Sequence, residues 1–142
     1  MDIGNKRIAL VHDWLISLGG SEKVLQELVD ILQNPDIYTL FYDKNLIDKL
    51  GFDINKVHGF KVNAILHKFY RYLLPLYPIL IENIKLDKYD LVISSSHSVA
   101  KGVLTKSYQV HICYCHTPMR YIWDMYWEYS KYLNPIFSFF LR

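Results

Sequence analysis

The run RIALVH at residues 7–12, with nothing polar between Arg7 and His12, constrains the fold of this chain more than any other feature. An apolar stretch without alternation suits a strand covered on both faces, the kind found inside parallel sheets. The glycine turn SLGGSEK follows. Over residues 21–32, Val24, Leu25, Leu28, Ile31 and Leu32 then recur at helical spacing, while Glu22, Lys23, Gln26, Glu27 and Asp30 fill the opposite side. Asn34-Pro35 closes that helix, and DIYTLF at 36–41 reads as a second strand. Strand, helix and strand in this order predict a right-handed parallel crossover.

The rest of the chain keeps that grammar. The pattern predicts a short helix or turn near 45–50, a strand at 57–61, a strand at 90–96 running into a serine loop, a short helical turn or loop at 98–104, and a buried strand at 109–116. Residues 64–84 look helical but contain Pro75 and Pro78, so a break or kink is expected there. Pro118 ends the last strand, and 119–133 reads as helix. No internal repeat, low-complexity tract or linker interrupts the pattern. One α/β domain over residues 1–142 is predicted, doubly wound, with a mainly parallel sheet flanked by helices. A chain of 142 residues is long enough to bury a sizeable core.

Composition narrows the classes of function. Sixteen Lys and Arg stand against 14 Asp and Glu, a net charge of +2 that gives no bulk argument for nucleic acid. Neither G-x-G-x-x-G nor G-x-x-x-x-G-K-[ST] occurs, so neither a dinucleotide cofactor nor a P-loop nucleotide is indicated. Cys113 and Cys115 lie two apart in an extended run and point to one face, which disfavours a bridge and suits a reducing cytosol. His111 shares that face, but without a C-x-x-C pair or a second pair of ligands the three read as buried structural residues, and no metal site is predicted. No stretch reaches the roughly 18 apolar residues that a spanning helix needs, and residues 1–6 hold no signal-peptide core.

In doubly wound sheets, ligands bind beyond the carboxyl ends of the strands. Three polar clusters fall there: His12-Asp13 with the glycine turn, Ser94 to His97, and His116-Thr117. Gly19 and Gly20 can take left-handed backbone and let a ligand approach, and the free amides of the helix start, with the Ser21 hydroxyl, would face a phosphate or a sugar hydroxyl. Glu22 counts against a purely anionic ligand, because its charge already complements the helix dipole. The same glycines equally make a tight strand-to-helix connection. His116 is placed to project into the cleft and exchange hydrogen bonds with a sugar or phosphate oxygen, or to serve as a satisfied core histidine. Ser96 and His97 offer hydrogen bonds at the cleft edge or simple turn chemistry. No G-x-S-x-G elbow surrounds the serines, so a serine nucleophile is not expected.

Lys61, Lys68, Arg71 and Tyr72 belong to a basic and aromatic stretch around the two prolines. Cations beside Tyr and Leu suit an acceptor surface or an anionic membrane face, and a core helix with a solvated basic side fits them as well.

Taken together, VHDWLISLGGSEKVLQEL, SSSHSVAKGV and CYCHTPMRYIWDMY resemble the N-terminal half of the family-4 glycosyltransferases, especially mannosyltransferase-like members that build bacterial surface polysaccharides. The resemblance spans residues 7 to about 130. It implies one half of a GT-B fold, the Rossmann-like domain that mainly takes the acceptor, facing a second domain that mainly takes the nucleotide sugar. It implies retaining transfer of a hexose, mannose favoured, from a GDP- or UDP-linked donor to a glycan or lipid-linked acceptor, with no cofactor and no metal. Gly19, Gly20 and Glu22 match the family's glycine turn and His116 its cleft histidine, while Ser21, Asp13, Ser96, His97 and Thr117 stand at the cleft edge as further candidate substrate contacts. The family's second domain is absent from this chain, so a fragment with little transfer activity of its own is expected, working in the cytoplasm at the inner face of the plasma membrane. The other class is a non-catalytic α/β module that binds a partner protein or the membrane surface through residues 61–81. A phospho-acceptor regulator using Asp13 ranks last, since no second acidic residue stands beside it.

Overall fold

A computed structural model describes residues 6–33, 35–63, 66 and 70–117, without the side chains of Arg71 and Tyr72. Five strands form one parallel sheet: β1 (Ile8–His12), β2 (Asp36–Tyr42), β3 (Val57–Lys61), β4 (Leu91–Ser96) and β5 (Val110–Cys115), in the order 3-2-1-4-5. The helices α1 (Gly20–Ile31), α2 (Lys44–Leu50) and α3 (Tyr77–Glu82) lie between strands in the chain. The fold is α/β and Rossmann-like.

Every residue of β1 is buried, as its unbroken apolar run predicts. Alternation divides its side chains between two layers. Ile8 and Leu10 pack with Ile37, Leu91 and Ile93 against Leu25 and Val29 of α1 and Leu46, Ile47 and Leu50 of α2. Ala9 and Val11 pack with Val92 against Tyr77 and Ile81 of α3, joined by Leu86, Tyr89, Ala100 and Val103. Burying each of the larger aliphatic side chains contributes about 1.5–3 kcal/mol.

Several expectations are corrected. The buried stripe of α1 runs Glu22, Leu25, Val29, so Glu22 is on the inner face and Ile31 is 71% exposed. The helix is rotated because Glu22 has a partner inside, which an apolar count cannot register. β5 is not a buried strand: Val110, Ile112 and Tyr114 are exposed, as are Cys113 and Cys115, and His111 is half-buried. It is the last strand of the sheet order and is hydrogen-bonded along β4 alone among the described residues. The break expected in 64–84 is a 3₁₀ turn over Tyr70–Leu76 that holds Pro75, with Pro78 at the start of α3, where a missing N–H costs nothing. Lys68, the side chains of Arg71 and Tyr72, and the helix expected at 119–133 lie outside the described residues. No helix among the described residues is long and apolar enough to cross a membrane.

Candidate functional site

The chain runs outward from β1 through β2 to β3, then returns to place β4 on the other side of β1. That reversal makes the carboxyl ends of β1 and β4 the topological switch point, where neighbouring connections diverge and leave a crevice. All three polar clusters meet there, because His12 is in register with Ser95 and Ser96 with Cys115.

On the α1 side four groups form a continuous chain. Glu22 Oε1 lies 3.5 Å from His12 Nε2. His12 Nδ1 stands 3.0 Å from the Ser95 carbonyl oxygen and 3.2 Å from Ser95 Oγ. Ser95 Oγ is 2.8 Å from His116 Nε2. His12 and Ser95 are fully buried and Glu22 is 5% exposed, whereas His116 is half-buried at the open end. Burial, the largest single influence, opposes the Glu22 charge, but the bond with His12, the backbone amide at the helix start and the Ser21 hydroxyl together outweigh it and hold the carboxyl below the usual glutamate range. Burial, and then the proximity of His12 and His97, hold the His116 imidazole below the usual histidine range and keep it neutral.

The second half of the site turns on Asp13. Its Oδ2 accepts the amides of His97 at 2.7 Å and Ser98 at 3.0 Å, and its Oδ1 those of Val99 at 2.7 Å and Ala100 at 2.6 Å. The Ser96 hydroxyl donates to Oδ1 at 3.3 Å. His97 Nδ1 stands 2.9 Å from Oδ2 as an ion-pair contact, outside good hydrogen-bond alignment. Burial would raise the Asp13 carboxyl, but His97 and these amides bring it down to about 2. Fully buried and surrounded by donors, Asp13 orders the turn after β4 and has no face toward a ligand. His97, half-buried, rests edge-on against Trp14 with ring centroids 4.7 Å apart.

The glycine turn works differently from expectation. Gly19 has extended backbone (φ −138°) and Gly20 is the first helical residue, so neither is left-handed. The Gly19 amide donates to Glu22 Oε2 at 2.7 Å, the returning half of a capping box whose other half a glycine cannot supply. A Cβ on Gly19 would sit 2.9 Å from that oxygen, so the missing side chain leaves room for the carboxylate to fold back. Gly19, Gly20 and Thr117 are exposed and Ser21 is half-buried, which places all four on the rim. Lys61, at the end of β3, is exposed on the far side of β2 from the switch point.

These positions set a serine nucleophile aside. Glu22, His12 and Ser95 name a carboxylate–imidazole–hydroxyl triad, but Ser95 is fully buried and His12 Nδ1 faces a carbonyl oxygen, so it is a donor and no base for Oγ. Among the described residues no lysine or arginine pairs with any of these groups, and no three His, Cys, Asp or Glu side chains gather as a metal ion would require. What remains is a rim of backbone amides, hydroxyls and imidazoles, with no lysine or arginine paired to it among the described residues. His12 and Ser95 belong to the polar clusters read from the sequence, but they act from inside rather than toward a ligand; a histidine ending a wholly apolar strand must find a partner when buried.

Compared with protein-family models, with curated proteins and with solved structures, the chain matches none.

Proposed function

We propose that this chain is the acceptor-side domain of a retaining glycosyltransferase, which holds a glycan or lipid-linked acceptor while a hexose, mannose favoured, arrives from a GDP- or UDP-linked donor. The observation that carries the reading is the meeting of His12, Asp13, Glu22, Ser95, Ser96, His97 and His116 at the β1/β4 switch point. Those residues come from the three sequence pieces that resemble the family. The chemistry of the rim suits hydroxyl groups, and Glu22 at the start of α1 favours a neutral sugar over a phosphate at that position. In the proposed transfer the bond from the sugar carbon to the leaving phosphate oxygen breaks while the acceptor oxygen bonds that carbon on the same face, and the acceptor proton passes to the phosphate. His116 positions the sugar and donates to developing negative charge.

A partner-binding module is the second reading, favoured by the exposed apolar side chains of β5, with Ile112 51% and Tyr114 49% exposed. A transfer assay on the protein as encoded separates the two, using GDP- and UDP-linked hexoses, lipid-linked acceptors and product detection by mass spectrometry. Transfer that falls about 100-fold in a folded His116→Ala variant supports the enzyme and its site. No transfer with any donor favours the module, and transfer indifferent to the substitution discards His116.

A further inference from the structure

Ser95 Oγ lies between two imidazoles, and the hydrogen count there has one consistent solution. His12 Nδ1 faces the Ser95 carbonyl oxygen, which can only accept, so that nitrogen carries a proton. The same N–H reaches Ser95 Oγ at 3.2 Å, making Oγ an acceptor on this side. The one hydroxyl hydrogen is then directed at His116 Nε2, 2.8 Å away. Were Nε2 protonated instead, Oγ would accept twice and its own hydrogen would be buried beside two donors. Among the described residues His116 Nδ1 has no hydrogen-bond partner, and it belongs to a ring at the open end of the chain.

We propose that Ser95 and His12 are positioning residues that fix His116 as its Nδ1–H tautomer, so that the nitrogen offered to a ligand is a donor committed to an acceptor oxygen. Glu22 completes the device by holding the far nitrogen of His12. A sequence cannot reveal this, since a histidine alone offers either nitrogen in either state. The consequence for chemistry is definite: His116 donates to a sugar oxygen and does not abstract a proton from one. The inference deepens the proposed function and rests on it only for the identity of the ligand.

The test begins without a ligand. Long-range proton–nitrogen correlation spectra of ring-labelled histidine, taken at about pH 8, above the ordinary histidine range, read the tautomer directly. The expected result is a protonated Nδ1 and an acceptor Nε2 at His116 in the unmodified chain, kept in Ser95→Thr and reverting in Ser95→Ala toward the Nε2–H form that a free histidine side chain prefers. A wild-type His116 in the Nε2–H form overturns the proposal even if no variant folds, and so does a folded Ser95→Ala variant with an unchanged tautomer. Titration with a neutral mannose disaccharide and, separately, inorganic pyrophosphate then identifies the oxygen. Saccharide binding weakened about tenfold in Ser95→Ala supports a hydroxyl acceptor, since one hydrogen bond is of that order. Binding of pyrophosphate alone overturns that assignment. The correct tautomer with no saccharide bound would remove the proposed function and leave the positioning role standing.

Discussion

Asp13 and Ala100 are 87 positions apart, yet the carboxylate of the first accepts the amide of the second at 2.6 Å, inside a crevice where neither touches solvent. With the amides of His97, Ser98 and Val99 on the same carboxylate, the end of β1 and the turn after β4 form a single unit. The candidate site is therefore held from beneath by a buried anion.

That anion makes the first prediction. The folded Asp13 carboxyl is lowered to about 2 from an ordinary 3.8. Its stabilisation is thus fully present above the unfolded value and lost as pH falls through the folded one. Urea unfolding followed from pH 5 to 2 should show a decline with a contribution of about 2 kcal/mol from this group. Asp13→Asn, which offers one oxygen to four amides, should cost about 3–5 kcal/mol at neutral pH. A cost below about 1 kcal/mol would mean that the turn holds itself.

Two glycines outside the site should behave unequally. A Cβ on Gly59 in β3 would sit 2.3 Å from the Thr39 carbonyl oxygen on β2, beside the register shift between Tyr38 and Phe41. Backbone cannot yield there as a flexible side chain does, so Gly59→Ala should cost about 3 kcal/mol or more. Gly51 caps α2 in left-handed backbone (φ 75°) with open space around it, so Gly51→Ala should cost only about 1–2 kcal/mol. Equal losses in thermal unfolding would contradict the strand contact.

How legible this was in the sequence depends on what each residue answers to. β1 and β2 follow from their apolar runs and α1 from the helical spacing of its apolar residues, because most of what these elements bury is apolar and needs no knowledge of the partner. Glu22 was misplaced because a charged residue on an apolar face looks like a register error until its partner is known, and His12 is on another element. β5 was misread for the opposite reason: VHICYC has the composition of a buried strand, and burial depends on what lies beyond the sheet edge. Gly19 shows a third case, in which glycine implied special backbone and the need was instead for space beside a carboxylate.

The thiols offer a direct check on that corrected edge. Cys113 and Cys115 are free and exposed on β5. Both should react with a small aromatic disulfide in native buffer, without denaturant, as completely as in the unfolded chain. One side of an extended strand carries both sulfurs roughly 6.6 Å apart along the backbone, at the far limit of disulfide reach. Mild oxidation should therefore leave the monomer without an internal bridge. Protection of either thiol in the native state would restore the buried strand.

Glu22 links stability to ligand choice. Its carboxylate caps the start of α1 through Gly19 and faces His12, and these contacts hold it below the usual glutamate range. Glu22→Gln keeps an oxygen for the Gly19 amide but removes the charge, and should cost about 1–3 kcal/mol of stability. The helix start then presents its partial positive charge without an opposing anion. Pyrophosphate, repelled by the wild-type carboxylate, should bind the variant about tenfold more tightly, which corresponds to about 1.4 kcal/mol of relieved repulsion. Neutral saccharide affinity should change less. Calorimetric titration of both proteins with both ligands decides it: if wild type and variant bind pyrophosphate equally, Glu22 does not set the preference for a hydroxyl over a phosphate, and the glycine turn is a connection and nothing more.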